Sequence, residues 1–207
     1  MDARPRRYRP PTALSTTEKV SPVTVAAVIL AAGGGARWNG AGHKLLAEVA
    51  GRPLAAHALA AASEAGLDEL VVVTGSVDLS SVLPVGATVL HNNRWFDGQA
   101  TSLRLAVDYA ERVGHEAVVV GLADMPGVPS VAWRALADCP SPLAVATFDG
   151  LRRPPTRIAR LLWPELPTVG DEGGRVLLSE QSSHVVEVAC PGNPGDVDIV
   201  EDLGSWN

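Results

Sequence analysis

The apolar positions of this chain fall into two alternating patterns. Short apolar runs occur at Thr24–Ala31 (TVAAVILA), Glu69–Thr74 (ELVVVT), Ala87–Leu90, Glu116–Gly121 (EAVVVG), Leu143–Phe148 and His184–Ala189. Continuous runs such as TVAAVILA predict strands covered on both faces, as in a parallel sheet. Between them lie segments with helical spacing: Arg52–Ala65 before Gly66, Ala100–Val113 before Gly114, Ser130–Asp138, Arg157–Trp163 and Gly174–Glu180. Repeated strand-then-helix order implies right-handed crossovers and helices on both faces of an open sheet. The expectation is a single Rossmann-like, three-layer α/β/α domain with a mostly parallel sheet, over residues 23–207.

Residues 1–22 break the pattern. Arg4, Arg6, Arg7, Arg9 and Lys19 sit among Pro5, Pro10, Pro11 and Pro22, with few apolar residues between them. A secretory signal needs an apolar stretch after its basic start, which this segment lacks. Proline spacing and charge repulsion predict a disordered basic lead.

The chain has 207 residues, 46% hydrophobic and 19% charged, with a net charge of −6. That is enough apolar material for a substantial core. The acidic balance argues against a duplex-gripping protein, which needs a basic surplus. No run reaches the roughly 18 apolar residues of a membrane span. Cys139 and Cys190 are too few for a disulfide framework or thiolate zinc site, and predict reduced thiols in a cytoplasmic protein.

Ligands of such sheets bind beyond the carboxyl ends of the strands. There the first strand runs into Leu30-Ala31-Ala32-Gly33-Gly34-Gly35-Ala36-Arg37-Trp38-Asn39-Gly40, followed by Lys44. Consecutive glycines let backbone N–H groups approach phosphate oxygens, and Arg37 and Lys44 add positive charge. A Walker loop is excluded because Leu45, not Ser or Thr, follows Lys44. The dinucleotide fingerprint started at Gly33 meets Trp38 where its last glycine belongs, which counts against a nicotinamide-dependent oxidoreductase.

A triphosphate site calls for Mg²⁺ and therefore carboxylates. Asp124, in Gly121-Leu122-Ala123-Asp124-Met125-Pro126, follows a central strand and falls at the active edge of the sheet. Asp196 and Asp198, two residues apart, would share one face of an extended segment. A non-catalytic nucleotide or cofactor carrier would keep the glycine loop without needing this pair.

Taken in order, six segments resemble the MobA-like nucleotidyltransferases, and within them the molybdenum cofactor cytidylyltransferase branch. They are LAAGGGARWNG…K (Leu30 to Lys44), LLAEVAGRPL (Leu45 to Leu54), NNRWFDGQATSLRLA (Asn92 to Ala106), GLADMP (Gly121 to Pro126), GDEGGRVLL (Gly170 to Leu178) and DVDIVEDL (Asp196 to Leu203). The resemblance runs from about Val25 to Leu203. It implies the nucleotide-diphospho-sugar transferase type of fold. It also implies transfer of a nucleoside monophosphate from an NTP onto a phosphate, releasing pyrophosphate.

By that resemblance the loop Leu30, Ala31, Ala32, Gly33, Gly34, Gly35, with Arg37 and Lys44, holds the triphosphate. Asp124 binds Mg²⁺, assisted by Asp198 and secondarily Asp196. Gly98 to Ser102 stands where related enzymes read the base. Asp171, Gly173, Gly174 and Arg175 fall on the acceptor side. The implied donor is CTP, the implied acceptor a phosphorylated pterin cofactor, and a molybdoenzyme or its maturation factor would be a transient partner.

Departures from the family pattern are specific. The family commonly reads R-M-G after its glycines, whereas Trp38 and Asn39 here separate Arg37 from Gly40. Its usual G-H-P element is absent, with Arg152-Arg153-Pro154-Pro155 in that region. Leu-Ala-Ala-Gly leans toward cytidylyl transfer; the guanylyl branch and other phosphorylated acceptors are the alternatives.

Overall fold

A computed structural model describes residues 23–206; the basic lead, 1–22, lies outside the described residues. The strands are β1 (Val25–Ala31), β2 (Glu48–Val49), β3 (Arg52–Pro53), β4 (Glu69–Thr74), β5 (Thr88–His91), β6 (Ala117–Leu122), β7 (Leu143–Phe148), β8 (Leu151–Ala159) and β9 (Val186–Ala189). The helices are α1 (Leu54–Glu64), α2 (Gln99–Val113), α3 (Ser130–Asp138) and α4 (Arg175–Glu180). Among the described residues, no helix is long and apolar enough to cross a membrane.

Seven strands form one sheet in the order β5-β4-β1-β6-β8-β7-β9, while β2 and β3 pair as a small separate ribbon. In the seven-stranded sheet β8 is antiparallel to both β6 and β7 and the other pairs are parallel; the β2–β3 ribbon is antiparallel. Every residue of β1 is buried, because both faces of the strand are covered. Ala27, Ile29 and Ala31 pack with Leu54, Leu59 and Trp133 on the α1/α3 side. Ala26, Val28 and Leu30 pack with Leu103, Ala106 and Leu177 on the α2/α4 side. This is the expected three-layer arrangement.

From β1 the chain moves outward through β4 to β5, then crosses back to place β6 on the other side of β1. The order of connection therefore reverses between β1 and β6. At such a switch point the following loops diverge and leave a crevice at the carboxyl ends. The glycine loop follows β1 and Asp124 follows β6, so both enter that crevice.

Three expectations are corrected. The helix expected from Arg52 starts at Leu54, because Arg52 and Pro53 pair with Val49 and Glu48 in the ribbon. The helix expected over Arg157–Trp163 is instead the end of β8 followed by a 3-10 turn, Arg160–Glu165. Arg157 is buried there, donating to the carbonyls of Ser141 (3.1 Å) and Ala137 (3.0 Å) beside the end of α3. Finally, residues 196–198 form no strand, so Asp196 and Asp198 do not share a strand face. Val197, between them, is fully buried and donates its N–H to the Asp124 carbonyl at 3.0 Å.

Candidate active site

The crevice is a cleft of about 460 Å³. Its lining includes Leu30 through Arg37, Lys44, Gly98, Ser102, Asp124, Asp171 and Asp198, residues drawn from five separate segments. Such a volume lies within the range typical of small-molecule sites.

The glycine loop forms one wall. Gly35 has φ +63°, and the loop closes there through a bond from Trp38 N to Gly35 O of 2.8 Å. That left-handed conformation carries no steric cost in glycine. Among the described residues, the amides of Gly34, Gly35 and Ala36 donate to no carbonyl or side chain. These donors remain available on the cleft wall.

Beside the loop, with its side chain packed along Gly35, Lys44 joins two carboxylates. Its Nζ lies 2.6 Å from Asp124 Oδ2 and 3.2 Å from Asp198 Oδ1, and also donates to Val197 O at 3.3 Å. Burial works against the lysine charge, but the Asp124 carboxylate, followed by Asp198, outweighs it and holds the pKa of Lys44 above its ordinary value. The lysine is therefore cationic at neutral pH. Arg37, 74% exposed, reaches the other Asp198 oxygen at 2.6 Å. Asp124 Oδ1 is buried without a hydrogen-bond partner among the described residues. An unpaired carboxylate oxygen in a partly dry cleft is costly unless a ligand completes it.

Several residues outside the sequence expectation organise this geometry. Asn39 accepts from Val200 N at 2.9 Å and donates to Glu201 at 3.3 Å, tying the loop to the segment that carries Asp198. Asn39, one of the two residues that depart from the R-M-G pattern, thus forms a tether. Asp202 accepts the amides of Asp198 and Ile199 at 2.7 and 3.0 Å, and those bonds hold its carboxyl below the usual range. Buried Asn92 donates to Thr101 and Ser102, both at 2.8 Å, fixing the start of α2. Trp95 and Phe96 also line the cleft. Nothing in the sequence pattern separates these from ordinary packing residues.

The segment at Gly98 meets the loop at Gly170 directly. Ala100 N donates to Gly170 O and Gly170 N to Asp97 O, each at 2.9 Å. Gly98 has φ +103°, and a Cβ there would stand 2.3 Å from the Gly170 carbonyl carbon. Asp171 consequently lines the cleft, whereas Gly173, Gly174 and Arg175 do not. Asp196 is solvent-exposed and stands apart from the cleft lining.

The fold and cleft define a nucleotide-transferase type of α/β protein. Comparison with known proteins makes this specific: residues 27–185 match the MobA-like NTP transferase domain, and the chain belongs to that family. The crystal structure of Rv0371c from Mycobacterium tuberculosis H37Rv superposes with a TM-score of 0.75 at 26% identity, covering 90% of this chain and 98% of that one. The same protein is also known as a manganese complex. A nucleotidyl transferase from Methanothermobacter thermautotroptrophicus shares the fold, with a TM-score of 0.75 at 20% identity, over 88% and 95% of the two chains. Among curated sequences, the bifunctional protein GlmU of Rhizobium leguminosarum bv. trifolii is 34% identical over 149 residues, 67% of this chain. The match spans about a third (32%) of that relative's length.

Proposed function

We propose that this protein transfers a nucleoside monophosphate from an NTP onto a phosphorylated acceptor, releasing pyrophosphate. CTP is the donor and a phosphorylated pterin, the molybdenum cofactor precursor, is the acceptor. The observation that carries the reading is Lys44 held between Asp124 and Asp198, beside a loop of unspent amides in the same cleft. Family membership supports the reaction class, and the Leu30-Ala31-Ala32-Gly33 start supports CTP over GTP.

A divalent cation fits the donor set. Mg²⁺ characteristically takes one or two carboxylates and completes its shell with substrate phosphates and water. Asp124, with its unpaired buried oxygen, and Asp198 would hold it. When bound, the ion supplies charge neutralisation along the triphosphate.

The protein's own groups do the rest. The amides of Gly34 to Ala36 bind phosphate oxygens, and Lys44 and Arg37 offset the charge of the leaving pyrophosphate. An acceptor phosphomonoester, with a second pKa of about 6, is already largely ionised at neutral pH. No general base is required. One acceptor oxygen forms the new bond to the α-phosphorus, the bond to the bridging α–β oxygen breaks, and pyrophosphate carries that electron pair away. Gly98 to Ser102 reads the base, and Asp171, strapped beside Gly98, faces the acceptor.

The test is pyrophosphate release from CTP, GTP, ATP and UTP, with Mg²⁺ or Mn²⁺, in the presence of molybdopterin or other phosphorylated acceptors. Release that requires CTP, a divalent ion and molybdopterin is the expected result. Release with GTP alone, or only with another acceptor, reassigns the substrates within the class. No release under any combination overturns the reaction.

A further inference from the structure

His43 stands beside Lys44, and its side chain turns away from the cleft toward the back of the glycine loop. Its Nδ1 accepts the backbone N–H of Leu45 at 3.2 Å. An imidazole nitrogen that accepts carries no proton, so the proton sits on Nε2. That Nε2–H lies 3.1 Å from Gly33 O and 3.1 Å from Ser76 Oγ. The Ser76 hydroxyl donates to the same Gly33 carbonyl at 2.8 Å. Ser76 is itself fixed by its backbone bond to Ala32 O of 3.0 Å, just beyond β4. One carbonyl of the loop therefore receives two donors from two different elements.

The consequence for the loop follows from peptide geometry. Across a trans peptide, the carbonyl of one residue and the N–H of the next point in opposite directions. The Gly33–Gly34 bond is trans. Gly33 to Arg37 line the cleft, whereas His43 and Ser76 do not. Drawing Gly33 O back toward His43 and Ser76 turns the Gly34 N–H the other way. A flexible Gly-Gly-Gly segment has no intrinsic preference for that peptide orientation over the flipped one. A flip would present a carbonyl oxygen to the anion.

We propose that His43 and Ser76 are positioning residues that lock the Gly33–Gly34 peptide with its N–H facing the cleft, presetting the loop to bind the triphosphate of a nucleotide. This rests on the nucleotide reading of the site. Neither residue touches the reacting atoms. Their contribution is preorganisation: with the lock removed, the flipped peptide must be restored at the expense of binding energy.

Two measurements test this. The ¹⁵N spectrum of His43 in the ligand-free protein reads the tautomer; the expected result is protonated Nε2 and bare Nδ1, and the opposite tautomer overturns the lock. The second is isothermal titration with CTP and Mg²⁺, alongside steady-state kinetics, for wild type, His43→Ala, Ser76→Ala and His43→Gln. His43→Ala is expected to raise Kd and KM for the nucleotide about 5- to 20-fold, leaving kcat within about twofold and acceptor KM unchanged. His43→Gln, whose amide N–H can replace Nε2–H, should recover most of the loss, and Ser76→Ala should fall between. Unchanged nucleotide affinity in His43→Ala, an equal loss of kcat, or no rescue by Gln each overturns the inference. Failure of the wild type to bind or use any NTP overturns the nucleotide reading as well, a result distinct from a wild type that binds and a variant that binds equally.

Discussion

Two acidic clusters sit at opposite ends of the same sheet, and they are finished differently. At the amino end, Glu69 opens β4 and receives Thr88 and Tyr109 on one oxygen, at 2.6 and 2.7 Å, and His115 on the other at 2.7 Å. At the carboxyl end, Asp124 has one oxygen on Lys44 and the other buried with no partner among the described residues. Both are half-buried carboxylates close to a basic side chain. The difference is unspent bonding capacity. A structural charge is satisfied by its own fold, whereas a charge left incomplete in a cleft is held ready for a ligand. The unsatisfied atom at the amino end is a histidine nitrogen, not a carboxylate oxygen.

The largest expected effect belongs to the incomplete carboxylate. Asp124→Ala should lower turnover by about a thousandfold or more, because it removes charge stabilisation that the reaction needs. Circular dichroism should show the fold intact, since Asp198 continues to pair Lys44. Retained turnover would move the metal site elsewhere. Lys44→Ala comes next, with kcat/KM for the nucleotide falling about a hundredfold and acceptor KM little changed. A larger loss on the acceptor side would exchange the two substrate positions.

The satisfied cluster should respond in stability and not in turnover. Burial raises the pKa of Glu69, but the bonds from Thr88, His115 and Tyr109 outweigh this and hold it below the ordinary glutamate value. A depressed folded-state pKa stabilises the protein fully above the unfolded value, about 4.3. That contribution is lost as pH falls through the lower folded-state value. Glu69→Gln should cost about 1–3 kcal/mol at pH 7 in urea denaturation, with the gap to wild type closing in that acidic window. Turnover of the folded variant should match wild type. A gap independent of pH would mean that Glu69 acts through packing and not through charge.

The same contrast explains what the sequence made legible. Strands β1, β4, β6 and β7 are visible as apolar runs because both their faces are buried, and α3 has the expected bounds, Ser130–Asp138. Asp124 was findable because the apolar run Glu116–Gly121 ends three residues before it. Strand β8 was hidden by Arg152, Arg153, Pro154 and Pro155. The register across to β7 passes from Val145–Thr156 to Ala146–Arg153, so both prolines fall in the irregularity, where no ladder bond is asked of them. The tethers were invisible for a different reason. Asn39 meets Val200 across 161 residues of chain, and His43 meets Ser76 across 33. No local pattern encodes such pairs; only the sheet order brings them together.

The smallest expected effect separates two neighbouring aspartates that the sequence ranked by resemblance alone. Asp198 is 18% exposed and receives both Lys44 and Arg37, whereas Asp196 is exposed and stands outside the cleft. Between them, buried Val197 holds the segment against the Asp124 backbone, so the register is fixed and the two carboxylates cannot trade places by a small slide. An exposed charge away from such features contributes little to stability, within about 0.5 kcal/mol. Asp196→Asn should therefore leave kcat, nucleotide KM and the melting temperature near wild type, with rates changing less than about twofold, or about 0.4 kcal/mol. Asp198→Asn should lose metal-dependent turnover in the same assay. If Asp196→Asn instead shifts the Mg²⁺ or Mn²⁺ concentration needed for half-maximal rate, the carboxylate pair at this end of the sheet is really a trio, and the segment must close further onto the cleft when substrate binds.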